Sequence, residues 1–201
     1  MTEHREPDIL ALDDGFAAIE RDACLLTAGL SEADGAWRPT ASSWSIAECL
    51  DHLGNANCAY LAAMRPPAAR ALAHGRHRRG PAVPGLIGGW FVRTLEPPPR
   101  FKGRAPRSIQ PRTAPMLSDA TRAFFESHHG VLTFLRTYAG IDLSGVSFPN
   151  PFVRGVRFSL ATALHAIAAH ERRHLWQGQQ IREAAARARQ FEPAGGVAHI
   201  E

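Results

Sequence analysis

Residues 163–181 read ALHAIAAHERRHLWQGQQI. At helical pitch Ala163, Ile167, His170, His174, Gln177 and Ile181 fall at steps of four, three, four, three and four, so all six share one face. The apolar residues turn that stripe towards a core and carry two histidines and a glutamine inward with them. A buried imidazole without a partner costs a few kcal/mol, and two on adjacent turns would share one partner. A metal ion satisfies both, because residues at i and i+4 lie one above the other and can converge on a single ion. The competing reading is a pair of solvated histidines on an Arg-rich surface helix.

Working outward, three more stretches carry the same periodicity. Ile9, Leu12, Phe16, Ile19, Ala23, Leu26 and Leu30 line one face of a first helix. A second helix opens at Ser45, where Glu48 three residues on completes a capping box, and runs to about Met64. A third, from about Pro115 to Tyr138, has Leu117, Ala120, Phe124, Val131, Leu135 and Tyr138 on one stripe and stops at Gly140. The fourth runs from about Ser159 past Ile181 and ends before Pro193 and Gly195. No alternating strand pattern of useful length and no internal repeat is present.

Between Arg65 and Pro115 stand eleven basic residues against Glu96 alone, together with ten of the fifteen prolines. The formal charge of the whole chain is +4, so the basic excess belongs to this one segment. Its prolines exclude a continuous helix or a central strand and make it a long crossover. The expectation is therefore an all-α four-helix bundle, one domain over residues 1–201, with a Pro/Arg-rich crossover at about 65–115 between helices two and three.

At 201 residues and 45% hydrophobic the chain can bury one sizeable core, which excludes wholesale disorder. The opening MTEHREPDIL is charged where a secretory signal is apolar, and no run approaches the ~20 apolar residues of a membrane span. A cytoplasmic protein without a membrane partner is expected. Cys24, Cys49 and Cys58 lack CxxC spacing and read as buried small hydrophobes.

A third ligand for the pair on the fourth helix has to come from another helix, and His52 on the second is the candidate. Residues 170–174 also spell His-Glu-x-x-His, the zinc metallopeptidase helix with Glu171 as general base. In its extended form the Gly and third His would fall on Gln177 and Gln180, and Glu192 as a downstream ligand lies beside Pro193, so this reading is the weaker. His128 lies between Phe124 and Val131 and reads as a core or rim histidine. His165 stands nine residues before His174, half a turn round, and faces away. Trp37 and Trp44 flank the turn into helix two and read as packing beneath it. The run with His74, Arg76, His77, Arg78 and Arg79 reads as a solvated loop without the aromatic interleaving of single-strand binders.

Trp44-Ser45-x-x-Glu48-x-x-x-His52-Leu53 and His170-Glu171-x-Arg173-His174-Leu175-x-x-Gly178-Gln179 together resemble the DinB-like superfamily of metal-dependent four-helix-bundle proteins. The helix order, the Pro-rich crossover and the Pro149-Asn150-Pro151 lead-in to helix four are similar too. The resemblance implies one divalent ion, zinc or nickel, on His52, His170 and His174, with Gln177, Gln179 and Gln180 competing for the glutamine that follows the last ligand. It further implies a transferase or hydrolase acting on a small molecule, in some relatives with bacillithiol, mycothiol or glutathione. The alternative is a non-catalytic metal-binding or assembly bundle; a nucleic-acid binder rests only on the basic segment. Leu25, Ile46, Leu61 and Phe125 off the core stripes, with Leu86, Ile87, Trp90 and Phe91 in the crossover, point to a homodimer that would hide them.

Overall fold

The computed structural model describes residues 6–98 and 106–191. Glu192, Pro193 and Gly195 lie outside them. The order is α1 (Pro7–Thr27), α2 (Glu32–Ala36), α3 (Ile46–Ala73), α4 (Leu86–Leu95), a 3-10 turn (Arg107–Ile109), α5 (Leu117–Tyr138), β1 (Ser147–Pro149), β2 (Arg157–Ser159) and α6 (Leu160–Phe191). The architecture is all-α apart from one small hairpin. Four long helices enclose the core: α3 packs against both α5 and α6, and α1 closes the far side against the same two.

The four apolar stripes are the core. Ile9, Leu12, Phe16, Ile19, Ala23 and Leu26 of α1 are all buried, as are Leu117, Ala120, Phe124, Val131 and Leu135 of α5. The capping box at Ser45 forms as its sequence requires: Ser45 Oγ accepts from the Glu48 amide at 3.2 Å and Glu48 Oε2 accepts from the Ser45 amide at 2.8 Å. Arg38 holds the other Glu48 oxygen at 2.7 Å. From this start every residue from Ile46 to Leu53 is buried, so the first two turns of α3 are surrounded by protein.

α1 ends on a borrowed cap. It has no basic residue in its own last turn. Arg182 of α6 instead donates to the carbonyls of Leu25 and Leu26 at 2.8 Å and of Ala28 at 3.1 Å, which places a cation at the negative end of the helix dipole.

Three features depart from the sequence expectation. Helix two does not end at Met64 but continues through Pro66 and Pro67 to Ala73. Each proline removes one helical N–H bond, but Ala68 and Ala71 are buried on the same stripe and the surrounding alanines favour helix, so packing carries the chain on. The crossover is not irregular throughout, since the proline-free window between Pro84 and Pro97 forms α4. It lies on α6, close enough that a Cβ at Gly88 would sit 2.6 Å from Thr162 Oγ1. Third, Pro149 is not only a lead-in: Phe148 pairs with Phe158 across the hairpin, both buried, and Asn150 Oδ1 accepts from the amides of Phe152 and Val153 to turn the chain back.

Of the off-stripe residues, Ile46 and Leu61 are buried, Phe125 is partly covered, and Leu25 stands 70% exposed. Leu86 and Ile87 of α4 are 95% and 81% exposed. The reading of all three cysteines as buried is corrected: only Cys49 is, while Cys24 and Cys58 face solvent. Among the described residues no helix is long and apolar enough to cross a membrane.

Candidate metal centre

α3 contributes His52 from its second turn, and α6 contributes His170 and His174 from its inward face. One candidate ligand atom from each ring lies within 4.8 Å of the other two. Nε2 of His52 is 3.1 Å from Nε2 of His170, and the three ring centroids stand 4.7 to 4.9 Å apart. The structure thus brings together the three histidines picked out in the sequence.

Two of the rings are oriented from behind. Nδ1 of His52 donates to the Ile109 carbonyl at 2.5 Å, and Nδ1 of His174 donates to Gln177 Oε1 at 3.0 Å. Each bond fixes the tautomer that leaves Nε2 with its lone pair. The loop carrying Ile109 is itself clamped: buried Asp51 accepts from the Arg112 amide at 2.8 Å and from its guanidinium at 2.8 and 2.6 Å. Trp44 lies over the pair, its ring 4.9 Å from His52 and 5.6 Å from His174.

Burial is the main electrostatic fact of the site. It holds His52 below the usual imidazole range, with the Ile109 carbonyl and Asp51 opposing. It lowers His170 well below that range, helped by the neighbouring His174 and His52, and pushes His174 down to about 3, with His52 adding and Gln177 opposing. Three neutral imidazoles facing one another have lone pairs and no cationic proton to share. Such a donor set fits one borderline divalent ion, and imidazole suits zinc, nickel, copper or iron alike.

Glu171 does not join them. It has no exposed surface and turns between α3 and α5, where Asn57 Nδ2 donates to it at 2.7 Å and His128 Nδ1 lies 3.1 and 3.2 Å from its two oxygens. Asn57 also reaches Ser127 Oγ at 3.2 Å. A metallopeptidase's general base would have to face the histidine triad, whereas this carboxylate is turned to Asn57 and His128. His128 is the core histidine it was read as. His165 faces away from the triad, its Nε2 3.0 Å from the Ala82 carbonyl.

Gln177, rather than Gln179 or Gln180, is the glutamine of the site; Gln179 bonds Glu183 on the surface. Trp37 and Trp44 both pack against the core as expected, and Trp44 in addition stands against His52 and His174. Sequence reasoning missed the Ile109 carbonyl, which no side-chain pattern marks, and Asn57, whose polar side chain one and a half turns beyond His52 was the available signal. The basic run is partly neutralised, since Arg78 pairs with Asp8 and Arg112 with Asp51.

No curated protein and no solved structure matches the chain. The family model of the DinB superfamily matches residues 18–177, a span that begins in α1 and takes in all three histidines and Gln177. With that match over most of its length, the chain belongs to the DinB superfamily.

Proposed function

We propose that the protein is a metal-dependent transferase or hydrolase acting on a small molecule, with a low-molecular-weight thiol as co-substrate, and that His52, His170 and His174 hold one zinc or nickel ion. The observation that carries this reading is the convergence of three buried imidazoles within 4.8 Å, two of them oriented by the Ile109 carbonyl and Gln177. An ion so held supplies Lewis acidity and lowers the pKa of a thiol or water that joins it. The chain's own groups do the rest: Ile109 and Gln177 fix the rings, and Trp44 shields them from bulk solvent on one side. Around this centre we read the helices as a four-helix bundle in one cytoplasmic domain, with residues 74–116 as the crossover. We read the exposed Leu86, Ile87 and Trp90 as a homodimer face.

A second reading is favoured by one observation. His52 and His174 are only 2% and 9% exposed, which suits an ion that is structural in a non-catalytic bundle. Elemental analysis of the purified protein, then a thiol-consumption assay with glutathione, bacillithiol or mycothiol and a chromogenic electrophile, separates the two. Bound metal with metal-dependent turnover lost in His170→Ala supports the enzyme; bound metal without turnover supports the structural bundle. No metal above the level of His52→Ala would sink both. Sedimentation equilibrium at 21.9 kDa would exclude the dimer.

A further inference from the structure

The far end of α3 carries a second concave site. Arg70 stands 18 residues beyond His52 on α3, about 27 Å along the helix axis, so this site is separate from the histidines. A cavity of about 440 Å³ lies there, walled by the last turns of α3, the segment that follows it, and the β1–β2 hairpin. Its polar lining is Arg70, His74, Arg76, Ser147 and Arg157. Among the described residues no Asp or Glu lines it.

These arginines belong to those of the chain that have no acid partner among the described residues. Elsewhere Arg38, Arg78, Arg112, Arg136 and Arg172 meet Glu48, Asp8, Asp51, Asp13 and Glu96. Among the described residues Arg70, Arg76 and Arg157 have no carboxylate within ion-pair distance. Asp142, whose amide donates to the Arg76 carbonyl at 3.1 Å, turns its carboxylate to the amide of Gly145, from which it accepts at 2.9 Å. The end of α3 is the negative end of its helix dipole, which the basic side chains around it offset; Gly75 takes a left-handed conformation at φ +62°, and the amides of His74, Gly75 and Arg76 close onto the carbonyls of Arg70, Leu72 and Ala71.

One cation is already positioned. Arg157 Nη2 donates to the Ser147 carbonyl at 3.0 Å and to its hydroxyl at 3.1 Å, which fixes the guanidinium against the hairpin and leaves its other terminal nitrogen for a ligand. Like charges gathered in a hollow repel one another unless an anion joins them, and guanidinium forks match the paired oxygens of a phosphoryl group. The volume falls in the range of small-molecule pockets and has room for a phosphoryl group.

We propose that the cavity formed by Arg70, His74, Arg76, Ser147 and Arg157 binds the phosphate of a small phosphate monoester. The test uses the full-length protein, with ribose 5-phosphate, inorganic phosphate and ribose as probes in calorimetric titration at low salt. Ribose 5-phosphate is expected to bind with a Kd of about 1 mM or tighter while ribose does not bind. Arg70→Gln and Arg157→Gln are each expected to weaken it about tenfold, equivalent to about 1.4 kcal/mol. His170→Ala leaves this binding unchanged, which keeps the site independent of the histidine centre. Inorganic phosphate binding as tightly as the monoester, with the same loss in both variants, supports a site for the phosphoryl group alone. The side chains concerned are exposed, so unchanged circular dichroism is expected and confirms that the variants fold. Equal affinity in wild type and variants, or no heat with either phosphate, would overturn the proposal; so would an oligonucleotide that binds more tightly than ribose 5-phosphate and loses affinity in the same variants.

Discussion

Nδ1 of His128 on α5 lies 3.1 Å and 3.2 Å from the two carboxylate oxygens of Glu171 on α6, and neither side chain has any exposed surface. Asn57 of α3 donates to the same carboxylate, so one acid ties three helices together.

Removing one member leaves the other buried without its partner. Glu171→Ala in the metal-free protein is expected to cost about 3 kcal/mol or more in urea unfolding. Combined with His128→Leu the loss is expected to be smaller than the sum of the two single changes, because the double variant leaves neither of the pair buried without the other. Additive losses would show that the two side chains are not coupled.

Gln177 touches the histidine triad only through His174. Gln177→Ala is expected to lower metal affinity by about 10- to 100-fold without moving the unfolding midpoint of the metal-free protein, and Gln177→Glu, which keeps an acceptor, is expected to restore most of it. Competition with a chromogenic chelator measures this, and an unchanged affinity in Gln177→Ala would remove the role.

Asp51 has a similar indirect part, since it clamps Arg112 and with it the loop whose Ile109 carbonyl orients His52. Asp51→Asn is expected to cost about 1.5–3 kcal/mol of stability through weakened charged hydrogen bonds. It is expected to lower metal content as well, whereas Arg122→Ala, which touches only two surface acids on its own helix, changes neither. Full metal retention in Asp51→Asn would separate the loop from the site.

Acid dependence enters through Asp8. Burial pushes its carboxyl up, but hydrogen bonds from Arg78 and from the Ala82 amide outweigh that and hold it below the usual carboxylate range. A depressed carboxyl adds stability above its unfolded pKa, about 3.9, and loses it as pH falls through the lower folded value. Asp8→Asn is therefore expected to unfold at lower urea than wild type at pH 7, the gap closing as the pH drops towards 3. A gap of constant size across that range would mean that the ionised carboxyl is not what matters.

Much of this was legible because long periodic stretches leave little choice. The stripe through Ile9 and Leu26, the box at Ser45 and Glu48, and the inward pair His170 and His174 each follow from spacing alone. What was not legible depends on contacts made elsewhere. Pro66 and Pro67 signal a helix end, and only burial of Ala68 and Ala71 carries α3 past them. Counting prolines over the whole crossover hid the twelve residues between Pro84 and Pro97 that have none. Three-residue strands such as Ser147–Pro149 are too short to show a period of two. The partner of Glu171 lies 43 residues away on α5, beyond the reach of any local pattern.

The borrowed cap on α1 bears on how the chain is made. Arg182 reaches carbonyls that lie 154 to 157 residues earlier, and the principal neighbours of α1 are α5 and α6. α1 therefore lacks its principal neighbours until α5 and then α6 have been translated. Throughout that interval the stripe of Phe16, Ile19 and Leu26 stays uncovered, and the nascent polypeptide depends on chaperones or on speed of synthesis to keep it from other surfaces.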